Sequence, residues 1–455
     1  MENKQINFFK AKDINTVLKP FKKGTVVNID YLEVREKQKE LKLGLYGWYA
    51  ICPSKELQKN KIHYFSLFDE PLLLFRDKNN NVRCIKNICP HRGSSFYGGS
   101  ISNGELTCPY HGARFSSQGN CQNIDRITCS HIVDNNYDNY AKRIHLSQYK
   151  VVEKESYIFI YFNDKSETDL NNFNDDSLIS NYELTANGFS VKDSVSEEVL
   201  VDFKCDWSRI IENHLDILHI FWVHGDTIPD KDVNKNVLVS FNQKININPN
   251  YIESIYFYKN NPTKEFIRIK YIPPGRILIY KGDPLASRYV QVLDHIPLGD
   301  NKARVIVRHY RKFLKNKFLN NLILFKEIQK KIFYKIFDED YMILKTQTYN
   351  QKLGLIKNDE IKLLGEDRII NYFWNWYKKS EEKDNPWKHI NKNKELNVYD
   401  EIILKYPPEI KKLEVINNIN IIRKTFIRYA APLLLFLLII SVSYTHLTLP
   451  TNREV

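Results

Sequence analysis

The stretch Cys89–His111, CPHRGSSFYGGSISNGELTCPYH, decides how the first half of this chain folds. Each of its ends supplies one thiol and one imidazole, as Cys89 with His91 and as Cys108 with His111. Structural zinc sites usually gather pairs of cysteines, or a cysteine pair with a histidine pair. The C-x-H and C-x-x-H order therefore favours a different metal centre over a zinc site.

This alternation of ligand types suits a Rieske cluster, a [2Fe–2S] centre in which two thiolates bind one iron and two imidazoles bind the other. Pro90 and Pro109 stiffen the two ligand loops before any cluster binds. The alternatives are a chance pair of Cys/His clusters and a small zinc site. Because both half-motifs agree and lie among short strand-like runs, we expect the two cysteines and two histidines to be cluster ligands.

The bulk composition limits the possible classes of protein. A chain of 455 residues and 54.0 kDa predicts two folded units with extensions. Its net charge of +13 comes from lysines interleaved with asparagines along the whole chain, so we predict a solvated basic surface and no nucleic-acid partner. Seven cysteines and a polar N-terminus argue against a secreted disulfide framework and favour a reducing compartment.

The texture of the sequence changes several times and predicts an α+β protein. Short apolar runs separated by turns predict an all-β domain from Gly47 to a hairpin at 151–164. A helix at 206–224, six strand-like runs and a long helix at about 315–350 predict a second domain. The predicted segments are a lead-in (1–44), the all-β domain (45–165), a linker (166–188), the second domain (189–380) and a charged extension (381–425).

The apolar run FIRYAAPLLLFLLIISV at 426–442 predicts a C-terminal membrane anchor. Its 17 residues lie at the lower limit for a span, and the alternative is a buried core helix. The nearby positive charges of Arg423, Lys424 and Arg428 predict that the body of the protein lies on the cytoplasmic or stromal side.

A second motif, ENHLDILHIFWVH at 212–224, offers ligands for a single iron. Asn213, Asp216 and His219 recur at three-residue intervals and so share one side of a helix. His224 follows five residues later, where a local break would turn it towards the same metal. Two imidazoles and one carboxylate form the facial triad of non-haem Fe(II) oxygenases. The alternative for any one of these histidines is an ordinary buried side chain.

Together the two motifs resemble those of Rieske-type non-haem iron oxygenases over roughly residues 45–350. Three further segments (47–49, 271–275 and 295–304) resemble the pheophorbide a oxygenase and chlorophyllide a oxygenase branch. After the last ligand, Gly112-Ala113 departs from the usual Gly-Trp at its second residue, and the terminal C-x-x-C of the plant enzyme is absent. The resemblance implies an N-terminal all-β Rieske [2Fe–2S] domain, a helix-grip (START-like) antiparallel-sheet catalytic domain and a mononuclear Fe(II).

The resemblance also assigns roles to individual residues. It implies that Asp216 links His219 to His111 of the partner subunit, within a homotrimer. The third iron ligand then comes from Phe337–Gln347, where we choose Asp340 over the rivals Asp338 and Glu339. The alternative is an acidic helix start stabilised by the helix dipole.

Further implied features concern the reaction. Asn213 is expected near the open metal positions. No flavin or nicotinamide fingerprint is present, so a ferredoxin or reductase would supply electrons for O2 chemistry on a hydrophobic ring substrate, with a chlorophyll-type tetrapyrrole as the leading class. The alternatives are oxygenation or desaturation of sterols or small aromatic compounds, a membrane-tethered Rieske electron carrier, and a lipid-binding module with vestigial metal motifs.

Overall fold

The computed structural model describes most of the chain between Leu41 and Trp387. The described residues are 41, 44–124, 143–154, 156–163, 194–225, 227–228, 239–258, 261–283, 287, 289–312, 325–356, 361–363, 367–384 and 386–387. The predicted linker at 166–188 and the predicted anchor at 426–442 lie outside these ranges. Within them, no helix is long and apolar enough to cross a membrane.

The first domain is built from two antiparallel sheets. Its strands are β1 (Gly47–Pro53), β2 (His63–Leu67), β3 (Glu70–Arg76), β4 (Val82–Lys86), β5 (Ser100–Ser102), β6 (Glu105–Thr107), β7 (Ala113–Phe115), β8 (Cys121–Ile124), β9 (Gln148–Lys154) and β10 (Tyr157–Phe162). The larger sheet has the order β1-β10-β9-β4-β3-β2, and the smaller has the order β5-β6-β7-β8. The predicted all-β domain is confirmed.

The small sheet packs on the large one through a separate apolar cluster that supports the loops of the opening motif. Phe96 and Phe115 meet edge to face at 5.8 Å between ring centroids, and neither ring is exposed. Cys89 and Cys108 belong to the same buried cluster. Ala113, which stands where the usual pattern has Trp, is fully buried in this same cluster.

The second domain contains a seven-stranded antiparallel sheet. Its strands are β11 (Val195–Phe203), β12 (Val239–Asn248), β13 (Tyr251–Tyr258), β14 (Asn261–Ile272), β15 (Arg276–Tyr280), β16 (Tyr289–Gly299) and β17 (Lys302–Arg311), in the order β11-β17-β16-β15-β14-β13-β12. Among the described residues, four helices accompany it: α1 (Trp207–Leu215), α2 (His219–Val223), α3 (Phe325–Lys352) and α4 (Arg368–Asp384). This confirms the predicted mixed α+β domain.

The helix predicted at 206–224 is divided in two. The side chain of Asp206 accepts from the N–H of Ser208 and begins α1. Asp216 then takes an extended conformation, with φ −80° and ψ 109°, and ends α1. The chain starts again as α2, so His219 and His224 are directed independently of α1.

Direct contacts fix the first domain against the second. The N–H groups of Phe68 and Asp69 donate to carbonyls of β16 at 2.7 and 3.2 Å. On the same strand, Asp294 accepts from Arg276 and Arg308 at 2.6 and 2.7 Å. Burial would raise the pKa of Asp294, but the two guanidinium groups outweigh it and hold that pKa below its ordinary value.

Helix α4, the last helix among the described residues, packs against the core. The sequence analysis predicted no helix there. The helix buries a stripe along one side, formed by Ile369, Ile370, Phe373, Trp376, Tyr377, Ser380 and Asp384. Asp384 lies beyond the domain end predicted at 380. Its Oδ2 accepts from the N–H groups of Leu45 and Tyr46 at 2.6 and 3.1 Å. A Cβ on Gly44 would lie 2.1 Å from the same oxygen, so glycine permits this close approach.

Replacement of Asp384 by alanine is expected to lower the free energy of unfolding by about 2 kcal/mol. The N–H groups of Leu45 and Tyr46 would then lose their acceptor. Urea unfolding measures the change. The matched control is Glu382→Gln, since Glu382 is exposed on the same helix and should be neutral. Equal stability of the two variants would show that Asp384 does not hold the start of the first domain.

Candidate metal centres

The two loops of the opening motif fold into equivalent turns. In the first, the N–H of Gly93 donates to the carbonyl of Cys89 at 2.8 Å. In the second, the N–H of Gly112 donates to the carbonyl of Cys108 at 3.1 Å. Both glycines have positive φ, +72° and +70°, which side chains rarely tolerate. The sequence repeat of cysteine, proline and histidine thus becomes a structural repeat.

Within this pair of turns, the thiols lie inside and the imidazoles lie near the surface. Cys89 and Cys108 are 1% and 2% exposed, whereas His91 and His111 keep part of their rings accessible. The two imidazole centroids are 4.8 Å apart. This arrangement places two sulfur donors on one side and two nitrogen donors on the other, as a Rieske cluster requires.

The environment of the thiols favours the thiolate form at Cys108. A hydrogen bond shared between the two thiols holds the pKa of Cys108 below its ordinary value and raises that of Cys89. The backbone N–H groups of Tyr110 and His111 also lower the pKa of Cys108. Metal binding needs deprotonated sulfur, and such backbone donors stabilise negative charge on it.

The second centre brings together three residues that are far apart in the sequence. One donor atom from each of His219, His224 and Asp340 lies within 4.8 Å of the others. Nε2 of His219 is 3.7 Å from Oδ1 of Asp340, and Nε2 of His224 is 3.1 Å from the same oxygen. His224 and Asp340 are buried, which brings negative charge and imidazole nitrogens together in an enclosed space.

Hydrogen bonds on the far side of each ring leave Nε2 for a metal. Nδ1 of His219 lies 2.6 Å from the carbonyl oxygen of Asp216, which can only accept, so Nδ1 carries the proton. Nδ1 of His224 lies 2.8 Å from Oε2 of Glu339, to which it donates. Nε2 of His224 is buried and has no hydrogen-bond partner among the described residues. An unpartnered buried nitrogen facing a carboxylate fits a metal ligand.

The carboxylates of α3 separate into different roles. Asp340 faces both histidines, whereas Glu339 approaches His224 from the other side of its ring. Burial would lower the pKa of His224, but Asp340 and Glu339 outweigh it and raise that pKa. Of the rivals considered from sequence, Asp338 is not part of the three-residue group.

Asp216 acts locally within this subunit. Its Oδ1 accepts from the N–H groups of Leu218 and His219 at 2.8 and 3.3 Å, where the chain enters α2. Its Oδ2 is 3.8 Å from Nδ1 of His219, which instead donates to the backbone carbonyl. The side chain remains 32% exposed. The predicted link to His111 of the partner subunit stays a prediction.

The side chain of Asn213 reaches the same centre from α1. Its Nδ2 is 3.4 Å from Oδ1 of Asp340, the oxygen that faces both histidines. Its own Oδ1 is buried without a hydrogen-bond partner among the described residues. The structure therefore places Asn213 beside Asp340, one of the three candidate ligands.

Two segments of the chain match the models of known protein families. Residues 47–141 match the Rieske [2Fe-2S] domain, and residues 203–368 match the vanillate O-demethylase oxygenase C-terminal domain. The chain carries both domains of a Rieske-type non-haem iron oxygenase. Members of this family are O2-dependent oxidoreductases that hold a [2Fe–2S] cluster and a mononuclear iron. The residues described above fit both groups, with sulfur and nitrogen donors at one centre and two imidazoles with a carboxylate at the other.

Relatives within the family act on different substrates. The chain is 26% identical over 193 residues to chlorophyllide a oxygenase of Chlamydomonas reinhardtii, covering 42% of this chain and 26% of that protein. It is 27% identical over 181 residues to the oxygenase component of dicamba O-demethylase of Stenotrophomonas maltophilia, covering 39% and 47%. The matches thus span about a quarter to a half of these relatives.

A solved structure of a Rieske oxygenase shares the fold. Dicamba monooxygenase bound to dicamba superposes with a TM-score of 0.55 at 16% identity, covering 75% of this chain and 98% of that one. At this identity the likeness shows the fold alone. It agrees with the all-β domain and the antiparallel sheet described above.

Two supporting residues of the iron centre were missed by the sequence analysis. Glu339 was considered only as a rival ligand, and Thr227 was not considered at all. Thr227 donates from Oγ1 to Oε1 of Glu339 at 2.5 Å and so fixes the carboxylate that orients His224. The only signal in the sequence was that Glu339 stands next to Asp340. That position does not show which of the two binds iron and which orients His224.

Replacement of Glu339 by alanine is expected to weaken iron binding at the second centre by roughly 10- to 100-fold, because His224 would lose the partner that orients its ring. Equilibrium titration with Fe(II) under anaerobic conditions measures the affinity. The matched variant Glu339→Gln keeps an acceptor for Nδ1 and should recover part of the loss. An unchanged affinity in the alanine variant would remove Glu339 from the centre.

Proposed function

We propose that this protein oxygenates a hydrophobic ring substrate with O2, using electrons that a ferredoxin or reductase delivers to its Rieske domain. The observation that carries the proposal is the convergence of His219, His224 and Asp340, in which Nε2 of His224 and Nε2 of His219 lie 3.1 and 3.7 Å from Oδ1 of Asp340. This site lies downstream of a complete set of two thiols and two imidazoles at the Rieske loops. An electron carrier would need only the first of these two centres.

The residues of the chain have separate tasks in this proposal. Bound iron would supply O2 activation, and the cluster would supply electrons one at a time. His219, His224 and Asp340 would hold the iron, while Asn213 contacts Asp340. Burial of His224 and Asp340 excludes water from the ligand set.

For the substrate, we propose a chlorophyll-type tetrapyrrole. The match to chlorophyllide a oxygenase supports it, together with the segments that resemble that branch of the family. The match to dicamba O-demethylase supports a second candidate class, small aromatic compounds.

We further propose a homotrimer in which His111 of the partner subunit approaches Asp216. Two exposed aromatic side chains support contacts at these two places, because Tyr110 is 51% exposed beside His111 and Trp222 is 72% exposed on α2. Residues 426–442 would anchor the assembly to a membrane, with the body on the cytoplasmic or stromal side.

Product analysis with labelled oxygen tests the proposed reaction. The full chain is reconstituted anaerobically with iron and sulfide, reduced, and exposed to ¹⁸O₂ with chlorophyllide a, pheophorbide a, a sterol or an aromatic methyl ether. We expect label in a tetrapyrrole product. Label only in the product of the aromatic ether would replace the substrate class, and oxygen consumption with no labelled or desaturated product from any substrate would contradict the oxygenase.

A further inference from the structure

Two hydrogen bonds in series fix the ring of His214, a further histidine of the 212–224 motif. Nδ1 of His214, on α1, lies 2.7 Å from Nε2 of His295, on β16. Nδ1 of His295 lies 2.8 Å from the carbonyl oxygen of Gly275. Gly275 sits so close that a Cβ would lie 2.5 Å from the carbonyl of His295, which explains why this turn has glycine.

The direction of this chain of hydrogen bonds follows from its last acceptor. The carbonyl of Gly275 can only accept, so Nδ1 of His295 carries the proton. A neutral His295 then accepts at Nε2, and Nδ1 of His214 must donate to it. Burial lowers the pKa of His295 to about 4, which keeps that ring neutral at ordinary pH. Nε2 of His214 is left with a lone pair.

The second ring nitrogen of His214 has no partner in the described part of the structure. This atom, Nε2, is nevertheless not one of the fully buried unpartnered atoms. The residue keeps part of its surface accessible, although burial holds its pKa well below the ordinary value. Both His219 and His224 act electrostatically on His214, and its neighbour Asn213 contacts Asp340. The accessible surface at this nitrogen would belong to a cavity beside the candidate iron ligands.

We infer that Nε2 of His214 is a substrate-recognising hydrogen-bond acceptor, aligned by His295 and Gly275, and that it selects ring substrates carrying an O–H or N–H group. This inference rests on the proposed function, because it takes the cavity beside the iron to be the substrate site. His214 touches the substrate, whereas His295 is a positioning residue. A ring compound whose donor is blocked by methylation would leave the lone pair unmatched in a dry site.

Binding to the full-length holoenzyme tests the inference without turnover. Calorimetry under anaerobic, unreduced conditions compares 2-naphthol with 2-methoxynaphthalene, and indole with 1-methylindole. We expect the donor-bearing member of at least one pair to bind roughly 3- to 10-fold more tightly, which corresponds to one hydrogen bond. A preference in the naphthol pair alone identifies a hydroxyl donor, and a preference in the indole pair alone identifies an N–H donor. Equal binding within both pairs, or no binding of any probe, would overturn the inference.

Two substitutions separate recognition from packing. In His214→Gln the amide stands near the position of Nε2, so we expect the preference to survive. In His214→Asn the amide stands near the position of Nδ1, so the contact with His295 is kept but we expect the preference to disappear. Survival of the preference in the asparagine variant, or its loss in both variants, would assign His214 to packing alone.

The test also separates this inference from the proposed function. If the preference is present but no substrate is oxygenated, recognition stands and the oxygenase proposal fails. If labelled product forms but methylation of the donor has no effect on binding, the oxygenase stands and the role of His214 is refuted.

Discussion

Replacement of His219 by alanine is expected to leave the Rieske EPR signal unchanged and to abolish O2-dependent turnover. His219 supplies one of the three donor atoms at the second centre, while the cluster loops belong to a separate sheet and a separate apolar cluster. Loss of an outer partner of a ligand already costs about 10- to 100-fold, so loss of the ligand itself should exceed that. EPR of the reduced protein and single-turnover product formation measure the two properties.

His145→Ala is the matched control for this substitution. His145 is an exposed histidine of the first domain whose Nδ1 contacts Asn120 at 3.1 Å, so its removal should change neither signal nor turnover. Normal product formation by the His219 variant would show that the second centre is assigned to the wrong residues. Loss of the Rieske signal in the same variant would show that the two centres do not fold independently.

Replacement of Asp216 by asparagine is expected to slow electron transfer between the two metals while both remain bound. Asparagine keeps an oxygen that can accept from the N–H groups of Leu218 and His219, so His219 should keep its place. The substitution removes only the negative charge that would hold His111 of the partner subunit. Because hydrogen bonds to charged groups contribute about 1.5–3 kcal/mol, we expect a decrease of roughly 10- to 100-fold.

Single-turnover kinetics with a prereduced cluster measure this transfer. Asp300→Asn is the control, since Asp300 is an exposed carboxylate in the turn between β16 and β17. A normal rate in the Asp216 variant would contradict the proposed bridge. Loss of iron from this variant would instead assign Asp216 to the placement of His219.

The two short motifs could be predicted from the sequence because their ligand residues lie close together along the chain. The ligands of each Rieske loop lie within three or four positions, and the turn that joins them is repeated at Gly93 and Gly112. A break was expected near His224, which is out of phase with His219 on a straight helix, whereas the structure interrupts the helix at Asp216, before His219. Ligands that lie within one turn can be predicted without knowing the tertiary fold.

Contacts between distant segments were not readable in the same way. Asp340 was chosen from three consecutive acids, Asp338 to Asp340, on a resemblance alone, because the sequence does not show which of them α3 turns towards α2. The hydrogen bond from His295 to Gly275 joins two segments that had been noted only as resemblances. The buried stripe of α4 was hidden among charged residues, and its purpose depends on contact with residues near Gly44.

The iron and acid-labile sulfide content of the full chain tests the central claim most directly. A chain with both a Rieske cluster and a mononuclear centre holds three irons and two sulfides, and the account predicts that result for the reconstituted protein. The Glu339→Ala variant should then lose iron but no sulfide. Two irons and two sulfides in the wild-type chain would contradict the oxygenase and identify an electron carrier.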